Sequence, residues 1–143
     1  MDLTIDLIPR SSWGNNVRSM VTAMEWDIIR HECYRRGRYV CAVCGNGGRM
    51  HCHEVFEYRD PDQQVLVDLS CLCTNCHEVK HYGRATVVGR EKEAKEWLQK
   101  VNSWNEFETQ EHILECFLKW HRRNKINWQL DISYLHKFMK DTV

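Results

Sequence analysis

Two cysteine pairs with identical spacing constrain this chain of 143 residues more than any other feature. The sequence contains Cys41-x-x-Cys44-Gly45 and, further on, Cys73-x-x-Cys76. A gap of two residues lets both sulfurs of a pair reach one metal ion, and glycine permits the tight backbone turn that follows. Two such pairs supply four thiolates, which is the ligand set of a closed structural site. The spacing therefore predicts a structural zinc ion held by these cysteines.

The composition indicates a globular protein without a membrane segment. Hydrophobic residues make up 43% of the chain and charged residues 28%, as in an ordinary packed domain. There is no apolar run of about 18 residues, and the N-terminal sequence lacks the pattern of a signal peptide. We therefore expect a cytoplasmic protein with no membrane partner. Disulfides rarely persist in the cytoplasm, so the cysteines outside the two pairs are predicted to be buried thiols: Cys33, Cys52, Cys71 and Cys116.

Four of the eight histidines lie between the cysteine pairs or just after the second pair. His77 and His81 are four positions apart, so on a helix they occupy one face and can chelate one metal ion. That helix would start at the second cysteine pair. His51 and His53 lie in the segment between the pairs. These histidines predict a second metal site next to the structural zinc.

The chain between and around the cysteine pairs predicts an α+β fold. Residues 3–9 alternate and suggest an extended edge segment, and Thr22 with Glu25 forms a capping box that opens a helix over 23–36. Two strands are expected over 50–58 and 65–72 with a turn between them. Thr74 or Asn75 is expected to cap a short helix that runs through His81 and ends near Gly83. The result is a ββα unit bracketed by a zinc ribbon.

The remainder of the chain is predicted to be helical. Apolar residues at 94, 97, 98 and 101 form one stripe, and a second capping box is expected from Ser103 to Glu106. Residues 126–132 suggest an extended segment before a short terminal helix. We expect one domain over residues 1–143, with an N-terminal segment and helix (1–36), a zinc and ββα core (37–84) and a helical lobe (85–143).

The motifs of residues 37–84 resemble the HNH endonuclease superfamily, the ββα-metal nucleases. The carrying residues are the first cysteine pair with Gly45, the run from Met50 to Val55, and the run from Leu72 to His81. Within the superfamily, the chain is similar to small phage and bacterial proteins with a four-cysteine zinc. The resemblance implies a ββα-metal fold and hydrolysis of DNA phosphodiester bonds. It also implies a divalent ion at the scissile phosphate, which is Mg²⁺, Mn²⁺, Ni²⁺ or Zn²⁺ across the superfamily.

The resemblance places metal ligands at His77 and His81 and leaves two alignments for the first strand. In one, His53 is a metal ligand and Glu54 is the general base. In the other, His53 is the base, Cys52 falls at the ligand position, and His51 or Glu54 ligates the metal or orients an imidazole. His53 has a role in both. Where the family has an asparagine on the second strand this chain has Asp68, which accepts hydrogen bonds but does not donate them when ionised.

The net charge of zero does not exclude nucleic acid as a partner, because the charges are unevenly distributed. Residues 50–84 carry 3 basic and 6 acidic side chains, which suits a segment that holds a cation. The candidate phosphate contacts are Arg35, Arg36, Arg38, Arg49, Lys80 and Arg84. RNA is an alternative substrate, since the motif contacts phosphate rather than sugar. The competing hypothesis is an inactive zinc module that binds nucleic acid or a partner protein, and a homodimer is compatible with either.

Overall fold

The architecture is α+β, with seven α-helices and one three-stranded sheet over residues 2–140, the part of the chain that the computed structural model describes. Met1 and residues 141–143, the ends of the predicted domain, lie outside it. The elements are α1 (Val17–Met20), α2 (Ala23–Arg36), β1 (Met50–Arg59), β2 (Gln63–Cys73), α3 (Thr74–Lys80), α4 (Tyr82–Val87), α5 (Glu91–Asn102), α6 (Glu106–Arg123), β3 (Gln129–Asp131) and α7 (Tyr134–Lys140). None of the described helices is both long and apolar enough to cross a membrane.

The two long strands form an antiparallel hairpin that carries the centre of the molecule. Their register pairs Met50 with Cys73 and His53 with Ser70, and it shifts by one residue between Val55 and Phe56. Such a bulge bends the strand locally and is frequent beside functional residues. The short strand β3 adds to β2 in parallel, so the expected extended segment 126–132 is a strand over only part of its length.

The hydrophobic core lies between this hairpin and the helices on both sides of it in sequence, and it includes buried side chains of α2. Leu66, Leu69 and Leu72 of β2 are buried in one cluster with apolar side chains of α3, α4 and α5. In α5 the buried positions are Ala94 and Leu98, both within the stripe expected from the sequence. Packing α3 against α5 therefore fixes the orientation of the helix that carries two of the candidate metal ligands.

Helix starts agree with the sequence at one capping box and differ at the other. Thr22 accepts a hydrogen bond from the backbone of Glu25, and α2 spans the expected residues. The box predicted from Ser103 is wrong, because Asn105 and Glu108 form the box that opens α6. Ser103 instead has a φ of 54° and ends α5 in the left-handed conformation, which makes it the end of one helix rather than the start of the next.

The second cysteine pair itself begins helix α3. The N-cap is Cys73, whereas the sequence predicts Thr74 or Asn75. The sulfur of Cys73 accepts a hydrogen bond from the backbone N–H of Cys76. The helix ends at Lys80, and α4 begins at Tyr82 after a break at His81. A sulfur that accepts at the first turn takes the place of the usual oxygen cap, and it fixes the start of α3 to the cysteine group.

The N-terminal segment 2–9 forms no helix and does not pair with the sheet, so the expected extended segment 3–9 is not an edge strand of the sheet. It is held by side chains of the helical lobe instead. Asn102 accepts from the N–H of Leu3 and donates to its carbonyl, both at 2.7 Å, and His112 Nε2 accepts from the N–H of Ile5 at 3.0 Å. These contacts place the segment between the helical lobe and the ββα unit.

Candidate metal centres

The four predicted zinc ligands lie together and can bind a metal ion. The sulfurs of Cys41, Cys44, Cys73 and Cys76 are all within 4.8 Å of one another. The first pair lies in the loop between α2 and β1, while the second spans the junction of β2 and α3. The group therefore ties the start of the hairpin to its end.

Backbone and side-chain N–H groups surround these sulfurs. The N–H of Cys44 donates to Cys41 Sγ at 3.5 Å, and Trp97 Nε1 donates to Cys76 Sγ at 3.3 Å. Burial opposes ionisation of Cys41, but the N–H groups around its sulfur outweigh that effect and lower its pKa to about 7. Gly45 has a φ of 77°, a conformation that glycine adopts without strain. At Cys41 this environment favours the thiolate, the form that binds metal, whereas burial raises the pKa of Cys44 and of Cys76.

Three of the four predicted histidines form a second group. The candidate ligand atoms of His53, His77 and His81 lie within 4.8 Å of one another. His77 and His81 approach through their Nε2 atoms, 3.1 Å apart, and the ring of His53 packs edge-on against both. His53 comes from β1, whereas His77 is the residue after Cys76 in α3. The hairpin and the helix thus supply ligands to one point.

The buried ring of His53 contains an unpartnered nitrogen. The residue is 2% exposed, and its Nδ1 has no hydrogen-bond partner among the described residues. A buried polar atom without a partner is costly, and bound water or an ion is the usual explanation. The neighbouring groups are uncharged at neutral pH, because burial and repulsion by the adjacent histidines lower the pKa of His77 to about 3 and burial lowers that of His81 to about 4. Neutral imidazoles offer the lone pairs that metals bind.

His51 lies beside the histidine group but is not a member of it. Its ring stacks on His77 with the centroids 4.8 Å apart, and its Nε2 is 3.1 Å from the hydroxyl of Thr74. Stacking restricts the rotation of His77, so His51 supports a candidate ligand. The structure does not bring His51 itself into ligand distance with the other three histidines.

Glu54 and Asp68, the two acidic candidates, lie in different places. Glu54 lines the same cleft as the histidines, and its Oε1 accepts a hydrogen bond from the N–H of Val17 at 2.6 Å. Burial raises the pKa of Glu54, although the N–H of Val17 and the charge of Arg18 oppose that effect. Asp68 is exposed on β2 and accepts from the Tyr134 hydroxyl at 3.4 Å. It is not among the residues that line the cleft.

Asp6 is a site residue that the sequence did not reveal. Its Oδ2 is 2.9 Å from Nε2 of His53, and the ammonium of Lys80 lies 3.6 Å from the same oxygen. Burial alone would raise the pKa of Asp6, but the hydrogen bond with His53 and the charge of Lys80 bring it below its ordinary value. Nothing in the sequence pattern of residues 3–9 distinguishes this carboxylate, since its partner is 47 positions away.

A cleft of about 860 Å³ opens onto the histidine group and contains three arginines, Arg10, Arg18 and Arg84. Only Arg84 was predicted from the sequence. The other predicted phosphate contacts do not line the cleft. Arg35 and Arg36 bind Glu32, and Lys80 faces Asp6 and Thr4. Arg38 and Arg49 are exposed near the first cysteine pair.

Comparisons of the chain with models of known protein families, with curated proteins and with solved structures find no match.

Proposed function

We propose that this protein is a metal-dependent endonuclease of the HNH type, which hydrolyses phosphodiester bonds of DNA at the histidine group. One observation carries the proposal: His53, His77 and His81 converge within 4.8 Å while Nδ1 of the buried His53 has no partner among the described residues. Three protein ligands leave coordination positions open, as catalytic rather than structural sites do. The cleft beside them admits a substrate.

The donor set determines which ions fit. Imidazole nitrogens suit Zn²⁺ and Ni²⁺, whereas Mg²⁺ prefers oxygen ligands and demands near-ideal octahedral geometry. We therefore expect Ni²⁺ and Zn²⁺ to bind more tightly than Mn²⁺ or Mg²⁺. When bound there, a divalent ion would stabilise the charge that develops on the phosphate and on the leaving oxygen.

The general base is proposed to be Glu54. Because His53 directs Nε2 at Asp6, the nitrogen left to a metal ion is Nδ1, which favours the alignment with His53 as ligand. Glu54 lines the same cleft, and burial moves its pKa upward, toward the range in which a carboxylate is an effective base near neutral pH. Its Oε1 is engaged by Val17, so Oε2 is the oxygen that would accept the proton of water.

The cysteine group is proposed to hold structural zinc. Four thiolates make a closed tetrahedral set with no position for substrate. Cys76 directly precedes His77, and the sulfur of Cys76 accepts a hydrogen bond from the indole N–H of Trp97 in α5. Zinc at this point would hold the first turn of α3, and with it His77, in a fixed position relative to β1.

Phosphate binding is assigned to the arginines of the cleft. Arg10, Arg18 and Arg84 surround the approach to the histidines, and two of them are positioned by aromatic rings. The guanidinium carbon of Arg10 is 4.9 Å from the ring centre of Trp120, and that of Arg18 is 5.9 Å from Trp26. Guanidinium groups bind phosphate oxygens in bidentate geometry, which would align the sugar-phosphate backbone of DNA across the cleft.

The test is conversion of supercoiled plasmid to nicked or linear DNA by the zinc-loaded protein with added Mg²⁺, Mn²⁺, Ni²⁺ or Zn²⁺. We expect conversion by the wild type and none by His77→Ala or His53→Ala. His136→Ala is the matched control, because His136 is exposed on α7 and belongs to neither group. A parallel reaction with single-stranded RNA distinguishes the substrates.

The main competing function is a zinc module that binds nucleic acid or a partner without cutting. It is supported if no metal promotes cleavage while the wild type still retards DNA in a gel. Cleavage that survives both histidine substitutions would show that the site is assigned to the wrong residues.

A further inference from the structure

The carboxylate of Asp6 determines which nitrogen of His53 is available. Oδ2 lies 2.9 Å from Nε2, and the side chains are 1% exposed for His53 and 32% exposed for Asp6. An ionised carboxylate only accepts hydrogen bonds, so Nε2 must be the nitrogen that bears the proton. A neutral imidazole then carries its lone pair on Nδ1, the atom that is buried and unpartnered among the described residues.

We propose that Asp6 is a positioning residue of the histidine metal centre, which fixes the tautomer and ring orientation of His53 from outside the ββα motif. This inference rests on the metal centre of the proposed function. A carboxylate behind a histidine ligand orients the ring and raises its basicity, and removal of such a partner typically lowers metal affinity 10- to 100-fold. In this chain the carboxylate comes from the N-terminal segment and not from the second strand.

The helix that carries two ligands also holds Asp6 in place. The N–H of Asp6 donates to the carbonyl of Lys80 at 3.0 Å, and the ammonium of Lys80 lies 3.6 Å from Oδ2. The same ammonium donates to the hydroxyl of Thr4 at 3.0 Å. Lys80 lies between His77 and His81 in sequence. Asp6, His77 of α3 and His81 at the C-cap of α3 therefore share one support, so their distances to His53 are set together.

The helical lobe also holds the N-terminal segment in place, and so it contributes to the position of Asp6 at the site. Leu3 is held through both its N–H and its carbonyl by Asn102 at the end of α5, and Ile5 is held by His112 of α6. These bonds fix the backbone on either side of Thr4 and lead directly into Asp6. A segment without strand pairing is otherwise free to move, so the lobe supplies the rigidity that a positioning residue needs.

The experiment measures Ni²⁺ binding by calorimetry to protein loaded with one equivalent of Zn²⁺, enough for the cysteine group alone, in wild type, Asp6→Ala, Asp6→Asn and Asp2→Asn. Asp2→Asn is the matched control, since it removes the same charge from the same segment at an exposed position. The second readout is the tautomer of His53, observed in long-range ¹H–¹⁵N spectra of the imidazole rings before Ni²⁺ is added. Thermal melting and zinc content report on the fold.

We expect Asp6→Ala to weaken Ni²⁺ binding 10- to 100-fold and to change His53 from the Nε2–H form to a mixture of tautomers. Asp6→Asn keeps an acceptor oxygen, so it should retain the Nε2–H tautomer of His53 and lose less Ni²⁺ affinity than Asp6→Ala. It should also remain folded in the case that Asp6→Ala does not fold. Asp2→Asn should behave as wild type. An unchanged Ni²⁺ affinity and tautomer in both Asp6 variants overturns the positioning role, whatever the plasmid assay shows.

The two proposals fail separately. A wild type that binds Ni²⁺ in an Asp6-dependent manner but cuts no DNA overturns the endonuclease and supports the positioning role. Plasmid cleavage that requires His77 but is unaffected, together with Ni²⁺ affinity, by both Asp6 substitutions overturns the positioning role and supports the endonuclease.

Discussion

The cysteine group and the histidine group lie on the same hairpin and helix but differ in how they are built. The cysteines come as two short-range pairs whose sulfurs accept hydrogen bonds from backbone N–H groups of the same turns. The histidines come from β1 and α3, and the nearest carboxylate comes from the N-terminal segment. One group has four candidate ligands and the other three. A closed set suits stability, and an open set suits chemistry.

The two groups share the helix α3, although each would hold its own ion. Cys76 and His77 are consecutive residues in α3, yet one belongs to each group. Replacing a cysteine should therefore disturb both groups, because the helix start is lost. Replacing a histidine should disturb only its own group. Substitutions in the two groups and outside them test this asymmetry, and the effect that we expect is largest in the cysteine group.

The largest effect is expected from Cys73→Ser. Cys73 belongs to the cysteine group, so this substitution removes a metal ligand, while the serine hydroxyl can still accept the N-cap hydrogen bond of α3. Structural zinc contributes about 10–16 kcal/mol in small zinc-finger peptides, which is comparable to the entire stability of a domain. We expect loss of zinc and of cooperative unfolding, measured by elemental analysis and circular dichroism. Cys116→Ser is the control, and a cooperative melt in Cys73→Ser would contradict the prediction.

The next largest effect is expected from Glu54→Gln. The amide oxygen of glutamine still accepts from the N–H of Val17, so the fold is preserved while the base is removed. We expect plasmid cleavage to slow about 10²- to 10⁴-fold with unchanged Ni²⁺ affinity. An unaffected rate would reject Glu54 as the base and return that role to His53.

A smaller effect is expected from Arg84→Ala. Arg84 lines the cleft and is exposed, so its loss should weaken binding to duplex DNA of any sequence and lower the salt dependence by about one phosphate contact. The comparison variant is Arg38→Ala, which removes an exposed arginine outside the cleft. Fluorescence anisotropy at several salt concentrations measures both. Equal effects of the two substitutions would show that the cleft does not define the interface.

The smallest effect is expected from Glu32→Gln, which touches neither metal group. Hydrogen bonds from Arg35, opposed by burial and assisted by Arg36, lower the pKa of Glu32 to about 2. A carboxylate with a depressed pKa contributes its full stabilisation at pH values above its ordinary pKa of 4.5. That contribution is lost as the pH falls from 4.5 through about 2. We expect Glu32→Gln to lose about 1 kcal/mol at pH 7 and little at pH 2.5, with metal content unchanged. Thermal melts at both pH values measure this; an equal loss at both would contradict it.

Sequence reasoning was most successful where the signal is local. Residues within one turn carry three of these signals: the cysteine pairs, the Thr22 capping box and the spacing of His77 and His81. The structure brings the four paired cysteines into one group, as predicted. The strands were predicted to within a few residues because a hairpin needs only alternation and a turn. The capping box predicted from Ser103 is wrong, because the left-handed end of α5 determines the boundary there.

The remainder of the candidate site depends on tertiary contacts that spacing does not encode. Asp6 meets His53 because Lys80, Asn102 and His112 hold the N-terminal segment against the core. Arg10 and Arg18 line the cleft and lie against Trp120 and Trp26, whereas Arg35 and Arg36 pair with Glu32 one turn earlier in α2. A run of arginines in sequence was thus a poorer guide to the cleft than the path of the backbone.

The most direct test of two separate metal centres is the metal content of the purified chain after loading with Zn²⁺ and Ni²⁺, determined by native mass spectrometry for wild type, His77→Ala and the His53→Ala/His81→Ala double variant. We predict about two ions per chain in the wild type and about one in each variant, with the cysteine-bound zinc retained. A wild type that holds a single ion, unaffected by the histidine substitutions, would contradict the proposed catalytic centre.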